Sequence, residues 1–311
     1  MSLAPYVQIV ARGKGRARDM TFAEAQDAMT LILQGHAAPE AVGALLMVMR
    51  LRGETPAEIA GFAAALRAHV AHKLPKADLD WPVYAAGRSR GAPLFLLAAR
   101  LVARAGYRIC MHGWNSHQSA HASVRANLDL LGPDVRYDAL EMLSPAAFEL
   151  LKLREVLGLR SCWNTVLRMW NPSGAPVSVQ GVFHPSYRSL QAQAADMLDP
   201  QDLVIIKGGG GEFERHPSKE VAIFGLRGGK HIADTAPALM DEKRRLHDVD
   251  TSVDLHAIWN GATDDPFSEA TVIGTAALAL WALKAAENHQ DAQTLAQALW
   301  AERHKSESLT A

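Results

Sequence analysis

The first third of the chain alternates apolar and polar positions with a helical period. Thr21 precedes Phe22, Ala25, Ala28, Met29 and Ile32, and Glu24 follows it by three residues, the arrangement of a capping box at a helix start. Gly35 stops that helix, and Pro39 opens a second that reaches Leu51 through Val42, Leu45, Leu46, Met47 and Met49. Thr55-Pro56 with Glu58 repeats the capping signature for a third helix. Residues 1–75 therefore read as a helical domain. From Lys76 the pattern becomes strand, glycine-containing loop, helix and strand. Trp81 to Ala86 is the first strand, Gly87 to Gly91 the loop, and a helix with Leu94, Leu97, Leu101 and Val102 on one face follows Pro93. Gly106 ends it, Tyr107 to Met111 forms a second strand, and a loop runs from His112 to Ser116. This is a βαβ unit, whose ligands bind beyond the carboxyl ends of the strands, so both loops face one crevice.

Farther on, Ser119 to Leu131 reads as a helix ended by Gly132-Pro133, and residues 138–158 read as more helices. Leu203 to Ile206 is a continuous apolar run of the buried parallel type. Val221 to Leu226 is a strand, Arg227-Gly-Gly-Lys230 a basic turn, and Ser268 to about Ala286 a final helix. Residues 76–137 and 159–303 make an α/β domain, and the polar tail 304–311 is expected to be disordered.

Composition narrows the class. The chain has 311 residues, 49% hydrophobic, enough for a sizeable core in two domains. No window is apolar for long enough to span a membrane, and the N-terminus lacks a signal-type run. Two cysteines, Cys110 and Cys162, imply neither a disulfide framework nor a zinc site. A cytoplasmic protein with no membrane partner is the expectation.

Net charge is −1, which alone argues against a nucleic-acid binder, but the charges are unevenly placed. No acid lies between Asp80 and Asp129, where 33 acids in 311 residues would give about five, while Arg88, Arg90, Arg100, Arg104, Arg108 and Arg125 all fall there. None lies between Glu155 and Asp196, where Arg160, Arg168 and Arg188 occur. One positive face on a neutral protein follows, with scattered surface arginines as the plainer reading. Arg12, Lys14, Arg16 and Arg18 alternate with small residues before the first capped helix; they suit phosphates or a solvated helix start equally. Lys207 and Arg215 flank Gly208, Gly209, Gly210 and Gly211, whose amides can face an anion or form a simple turn.

Several of these stretches together resemble the anthranilate phosphoribosyltransferase and pyrimidine-nucleoside phosphorylase superfamily. Arg52-Gly53-Glu54-Thr55 before Glu58-Ile59-Ala60-Gly61 is similar to the family's helical domain, which there makes the homodimer. His112, Gly113 and Ser116 match its Lys-His-Gly-Asn-Arg region, and Gln180-Gly181-Val182-Phe183 a following strand. Arg160, Asn164, Asn171 and Pro172 match a segment whose arginine meets the anthranilate carboxylate. The resemblance implies an α/β fold: a small helical dimerisation domain, with residues 138–158 returning to it, and a larger domain with a mainly parallel central sheet flanked by helices.

The chain also departs from the pattern. The family's Gly-Thr-Gly-Gly-Asp loop reads Ala86-Gly87-Arg88-Ser89-Arg90, and its Asn, Ser and Thr at the helix start fall on Pro93, Phe95 and Leu96. Its Gly-Pro-Leu has become Leu167-Arg168-Met169. Its magnesium-holding Asp-Glu pair reads Glu212-Phe213, with Glu214 one residue out of register, and its Asn-Ala reads Gly274-Thr275.

Three functions follow from this reading. The favoured one is a sequence-nonspecific binder of single- and double-stranded DNA and RNA through phosphates, like the non-enzymatic, YbiB-type branch of the family. Arg88, Arg90, His112, Trp114, Arg160, Arg168, Lys207, Gly208, Gly209 and Arg215 would form its groove, Trp114 stacking on bases, with no catalytic residue, metal or cofactor. The second is a phosphoribosyltransferase, which would need magnesium. The third is a binder or enzyme for another anionic small molecule, using Arg160, His112 and Lys207.

Overall fold

A computed structural model describes residues 2–13, 15–70, 74–84, 91–114, 122–198, 202–242, 244–246 and 253–304. The fold is α/β: an N-terminal helical bundle and a larger domain built on a mostly parallel sheet. Four helices open the chain: α1 (Ala4–Ala11), α2 (Phe22–Leu33), α3 (Pro39–Arg52) and α4 (Pro56–His69). Both capping boxes form. Thr21 Oγ1 accepts the Glu24 N–H while the Glu24 carboxylate accepts the Thr21 N–H, and Thr55 and Glu58 do the same for α4. Glu58 is fully buried and also takes the Met20 N–H and the Arg52 guanidinium, so one cap ties three segments of the bundle together. Helix α1 has no polar cap and carries no signal in the sequence pattern.

The sheet has the order β3-β2-β1-β4-β5-β6-β7. Strands β1 (Leu79–Val83), β2 (Ile109–Gly113), β3 (Val135–Ala139), β4 (Val177–Val182) and β5 (Asp202–Lys207) are parallel. Strands β6 (Val221–Arg227) and β7 (Lys230–Ala236) extend it antiparallel, joined by the expected Arg227–Lys230 turn. Strand β7 was not apparent from periodicity, because its residues are largely exposed.

Along β5 the side chains alternate between two cores, as a period of two requires. Val204 and Ile206 face one cluster with α5 (Phe95–Ala103), α10 (Leu255–Asn260), α11 (Pro266–Ala282) and α12 (His289–Ala301). Leu203 and Ile205 face the other way, into one cluster with α2, α3 and α4 of the bundle, α8 (Trp163–Arg168) and α9 (Ser186–Asp196). That cluster also takes Leu140 and Leu143 from α6 (Leu140–Leu143) and Ala147 and Leu151 from α7 (Pro145–Leu157). Helix α11 ends at Ala282 and α12 follows, capped by Asn288, where the sequence pattern gave a single last helix. The expected helix from Ser119 reduces, among the described residues, to a 3₁₀ segment at Arg125–Leu130. No helix among the described residues is long and apolar enough to cross a membrane.

Candidate functional site

Strand order reverses between β1 and β4, the switch point at which open α/β sheets bind ligands. These two strands pair only at Leu79–Val177 and Asp80–Ser178, so they part toward their carboxyl ends. Gly181 lets the segment after β5 cross the gap: a Cβ there would lie 2.0 Å from the Glu212 carbonyl carbon. This crossing segment, residues 208–215, is closed on itself. Gly208 N–H donates to Val182, Gly209 N–H to Glu214, and Gly211 N–H back to Gly208. The amides of Gly208, Gly209 and Gly211 therefore do not form the anion cradle the glycine run suggested.

Arg215 corrects the sequence reading more sharply. It is 2% exposed, its guanidinium donates to the Pro237 carbonyl, and its side chain lies over Gly274 of α11. Its N–H donates to Thr275 Oγ1 at 2.9 Å. Burial pushes its pKa down to about 10. The Gly274-Thr275 pair thus gives Arg215 its space and a partner, and Arg215 does not line a groove.

Glu214 runs the other way. Its Oε2 accepts the Phe95 N–H at 3.0 Å, placing a buried carboxylate at the N-terminus of α5. Phe213 is buried edge-on to Trp81, at 5.4 Å between ring centres. Glu212 is buried and faces the positive charge of Arg168. Magnesium is the metal the resemblance implies, and these residues do not fit it. Their acids are engaged by protein groups, and no described cluster of three His, Cys, Asp or Glu could hold an ion.

His112 is no loop residue. It sits on β2, fully buried, with Nε2 3.1 Å from Asp80 Oδ1 and Nδ1 2.8 Å from the Tyr84 hydroxyl. Ser178 donates to the other Asp80 oxygen at 2.8 Å, and Gln180 and Gln191 continue the chain of hydrogen bonds. Burial raises the Tyr84 pKa well above its usual value. Trp114 is also buried, edge-on to Phe148 of α7 at 5.2 Å, and cannot stack on a base. Position in a core, rather than local sequence, decided both. Arg88, Arg90, Lys14 and the tail 305–311 lie outside the described residues.

Among the described residues, two cavities lie at the carboxyl edge of β4 and β5. The larger, about 840 Å³, is bordered by Lys207, Lys219, Arg245 and Arg188 with Glu220 and Glu214. Lys207, Lys219 and Arg245 are exposed. Arg188 is committed to the Pro185 and Ala222 carbonyls and to the Phe224 ring, 5.0 Å away. The smaller, about 90 Å³, is bordered by Arg50, Arg160, Asn164, Arg168 and Tyr187. Phe183 borders both and is 46% exposed, a large aromatic left in solvent at their seam. The structure therefore brings Arg160 together with Arg168, and Lys207 with the glycine run. Lys219 and Arg245 were missed; Lys219 follows a proline-serine turn, and Arg245 closes the mixed charge run Asp241 to Arg245, which has no net basic excess beyond one charge.

Residues 5–70 match the glycosyl transferase family, helical bundle domain. The chain is 30% identical to the anthranilate phosphoribosyltransferase of Chloroflexus aurantiacus over 234 residues, 68% of each protein. It is 29% identical to that of Desulfitobacterium hafniense over 217 residues, 64% of this chain and 63% of that protein, so it spans just under two thirds of this relative. The solved anthranilate phosphoribosyltransferase of Thermus thermophilus superposes with a TM-score of 0.78 at 20% identity, covering 97% of this chain and 95% of that one, a likeness of fold.

Proposed function

The chain belongs to the anthranilate phosphoribosyltransferase family, and from that premise we propose that it binds nucleic acid through phosphates, without reading sequence. One observation carries the reading. Exposed Lys207, Lys219 and Arg245 border the larger cleft, and the solvent-facing ring of Phe183 stands at its edge. Cations spaced along a groove beside an exposed aromatic are what single strands require: phosphates meet the cations, and any base can stack. Contacts of this kind fix position along the backbone and carry no base preference.

Group transfer from a sugar diphosphate is the second reading, since the family's named members perform it. It is less well supported here. A diphosphate calls for free helix-terminal amides and a metal clamp. In this chain Glu214 holds the amide at the start of α5, and Glu212-Phe213 stands at the paired-acid position. On the favoured reading the protein groups with the non-enzymatic, YbiB-type branch and works as a homodimer. Exposed Leu51 on α3 and Val156 and Leu159 at the end of α7 offer an apolar surface for the second copy.

The test is fluorescence anisotropy with labelled single-stranded and duplex oligonucleotides of unrelated sequence at several salt concentrations. Replacing Lys207 and Lys219 by Ala should weaken all of them alike. The slope of log affinity against log salt on duplex should become shallower by about two units. Unchanged affinity and slope in the double variant would overturn the proposal. Arg215 is left intact because it is buried.

A further inference from the structure

The smaller cavity holds an unusual charge. Arg168 is 4% exposed, and one of its nitrogens donates to the Asn164 carbonyl at 2.9 Å. Its Nε and second terminal nitrogen are buried and have no partner among the described residues. Arg160 is half-buried beside it, and Arg50 completes the rim. Burial and the neighbouring Arg154, Arg168 and Arg50 push the Arg160 pKa down to about 10; no acid offsets them. Glu54 accepts the Tyr187 hydroxyl at 2.9 Å, and Glu212 acts on Arg168 through its charge without a hydrogen bond to those two nitrogens. A buried guanidinium with two unused donors is costly to the fold unless an acceptor meets it.

We propose that this pocket seats a single phosphate monoester group. Arg168 would present its planar edge to two phosphate oxygens, Arg160 would take a third, and Arg50 would screen the second negative charge from the rim. Arg168, Arg160 and Arg50 taken with Glu212 carry a net charge of +2, which a monoanionic carboxylate halves and a dianion neutralises. Arg168 stands where the resembled pattern has Gly-Pro-Leu, so the buried fork belongs to this chain rather than to that pattern. The group can come from a small phosphorylated molecule or from the phosphorylated end of a nucleic acid. Only the second source rests on the reading of the neighbouring cleft.

The test titrates the full-length protein with inorganic phosphate and, as monoanion controls, with acetate and benzoate, by calorimetry and thermal shift. Phosphate should bind at least tenfold more tightly than either control. Arg168→Met, which keeps the buried stem and removes the fork, should weaken phosphate at least tenfold. Arg160→Gln, at a half-exposed residue, should weaken it as well and serves if the methionine variant does not fold. Absence of phosphate binding overturns the proposal, as do equal binding of acetate or undiminished binding by both variants. A second arm compares 5′-phosphorylated and 5′-hydroxyl single strands. A tenfold preference for the phosphorylated strand identifies a nucleic-acid end as the source. Equal affinity of the two strands, with phosphate still bound, supports the pocket and assigns it to a small molecule. Failure of both strands to bind leaves the pocket standing and removes the polymer reading instead.

Discussion

Removing the Glu214 carboxylate should both destabilise the protein and open a place for an anion. Its Oε2 accepts the Phe95 N–H at 3.0 Å inside the core, at the positive end of α5. A hydrogen bond to a charged group contributes about 1.5–3 kcal/mol, and a partly buried charge at a helix end up to about 2. The two overlap, so Glu214→Ala should cost about 3 kcal/mol, or about 6 °C in Tm at roughly 2 °C per kcal/mol for a chain of this size. Glu214→Gln keeps an acceptor without the charge and should lose about half as much. Thermal unfolding followed by circular dichroism measures both. Sulfate added to the alanine variant should recover stability at the vacated helix end, about 1.4 kcal/mol at tenfold its Kd, and should do less for the parent. An alanine variant as stable as the parent, or equal protection of the two by sulfate, would refute the reasoning.

Three other outcomes are expected. Gly274→Ala puts a Cβ 2.6 Å from Leu239 Cδ1 and 3.1 Å from Arg215 Cδ; it should cost about 1–3 kcal/mol in denaturant unfolding, with Leu239→Ala in the same chain returning part of it. Glu24 has its carboxyl held down from 4.5 to about 2, first by the Arg18 guanidinium and then by the Thr21 amide. A depressed folded pKa gives stability that is present above about 4.5 and is lost as pH falls toward 2, so Arg18→Ala should narrow the difference in Tm between pH 6 and pH 3. Sedimentation at micromolar concentration should show twice 33.7 kDa, and Leu51→Glu with Leu159→Glu should halve it; a parent that sediments at 33.7 kDa ends the dimer reading.

Local chemistry was readable where its partners lie close in the chain. Thr21 with Glu24 and Thr55 with Glu58 announce their helices because the donors and acceptors are three residues apart. Strand β5 was readable because its run is apolar on both faces. Exposure was not readable. Arg215 and Trp114 looked like groove residues, yet α11 covers one and α7 the other, contacts made across 60 and 34 positions of sequence between Arg215 and Thr275 and between Trp114 and Phe148. In the sequence Glu214 is only an acid one residue out of register with the paired-acid position, since its bond to Phe95 spans 119 positions. Strand β7 escaped because an exposed edge strand need not alternate, and Lys230, His231 and Asp234 along it keep other edges from pairing there.

The core shared by the bundle and the sheet bears on how the proposed binding would proceed. Leu203, Ile205 and Leu226 from the sheet pack in one cluster with Leu46, Phe62 and Leu66 from the bundle, and Arg67 of α4 donates to the Met169 and Trp170 carbonyls. Units joined by a common hydrophobic interior cannot swing as separate jaws, and the residues that border the larger cleft all come from the sheet domain. On the proposed reading, a polymer entering the cleft would meet a fixed channel, with association set by diffusion and charge steering and release needing no reopening step. Such a surface would favour short dwell times and sliding along a strand over clamping a single position.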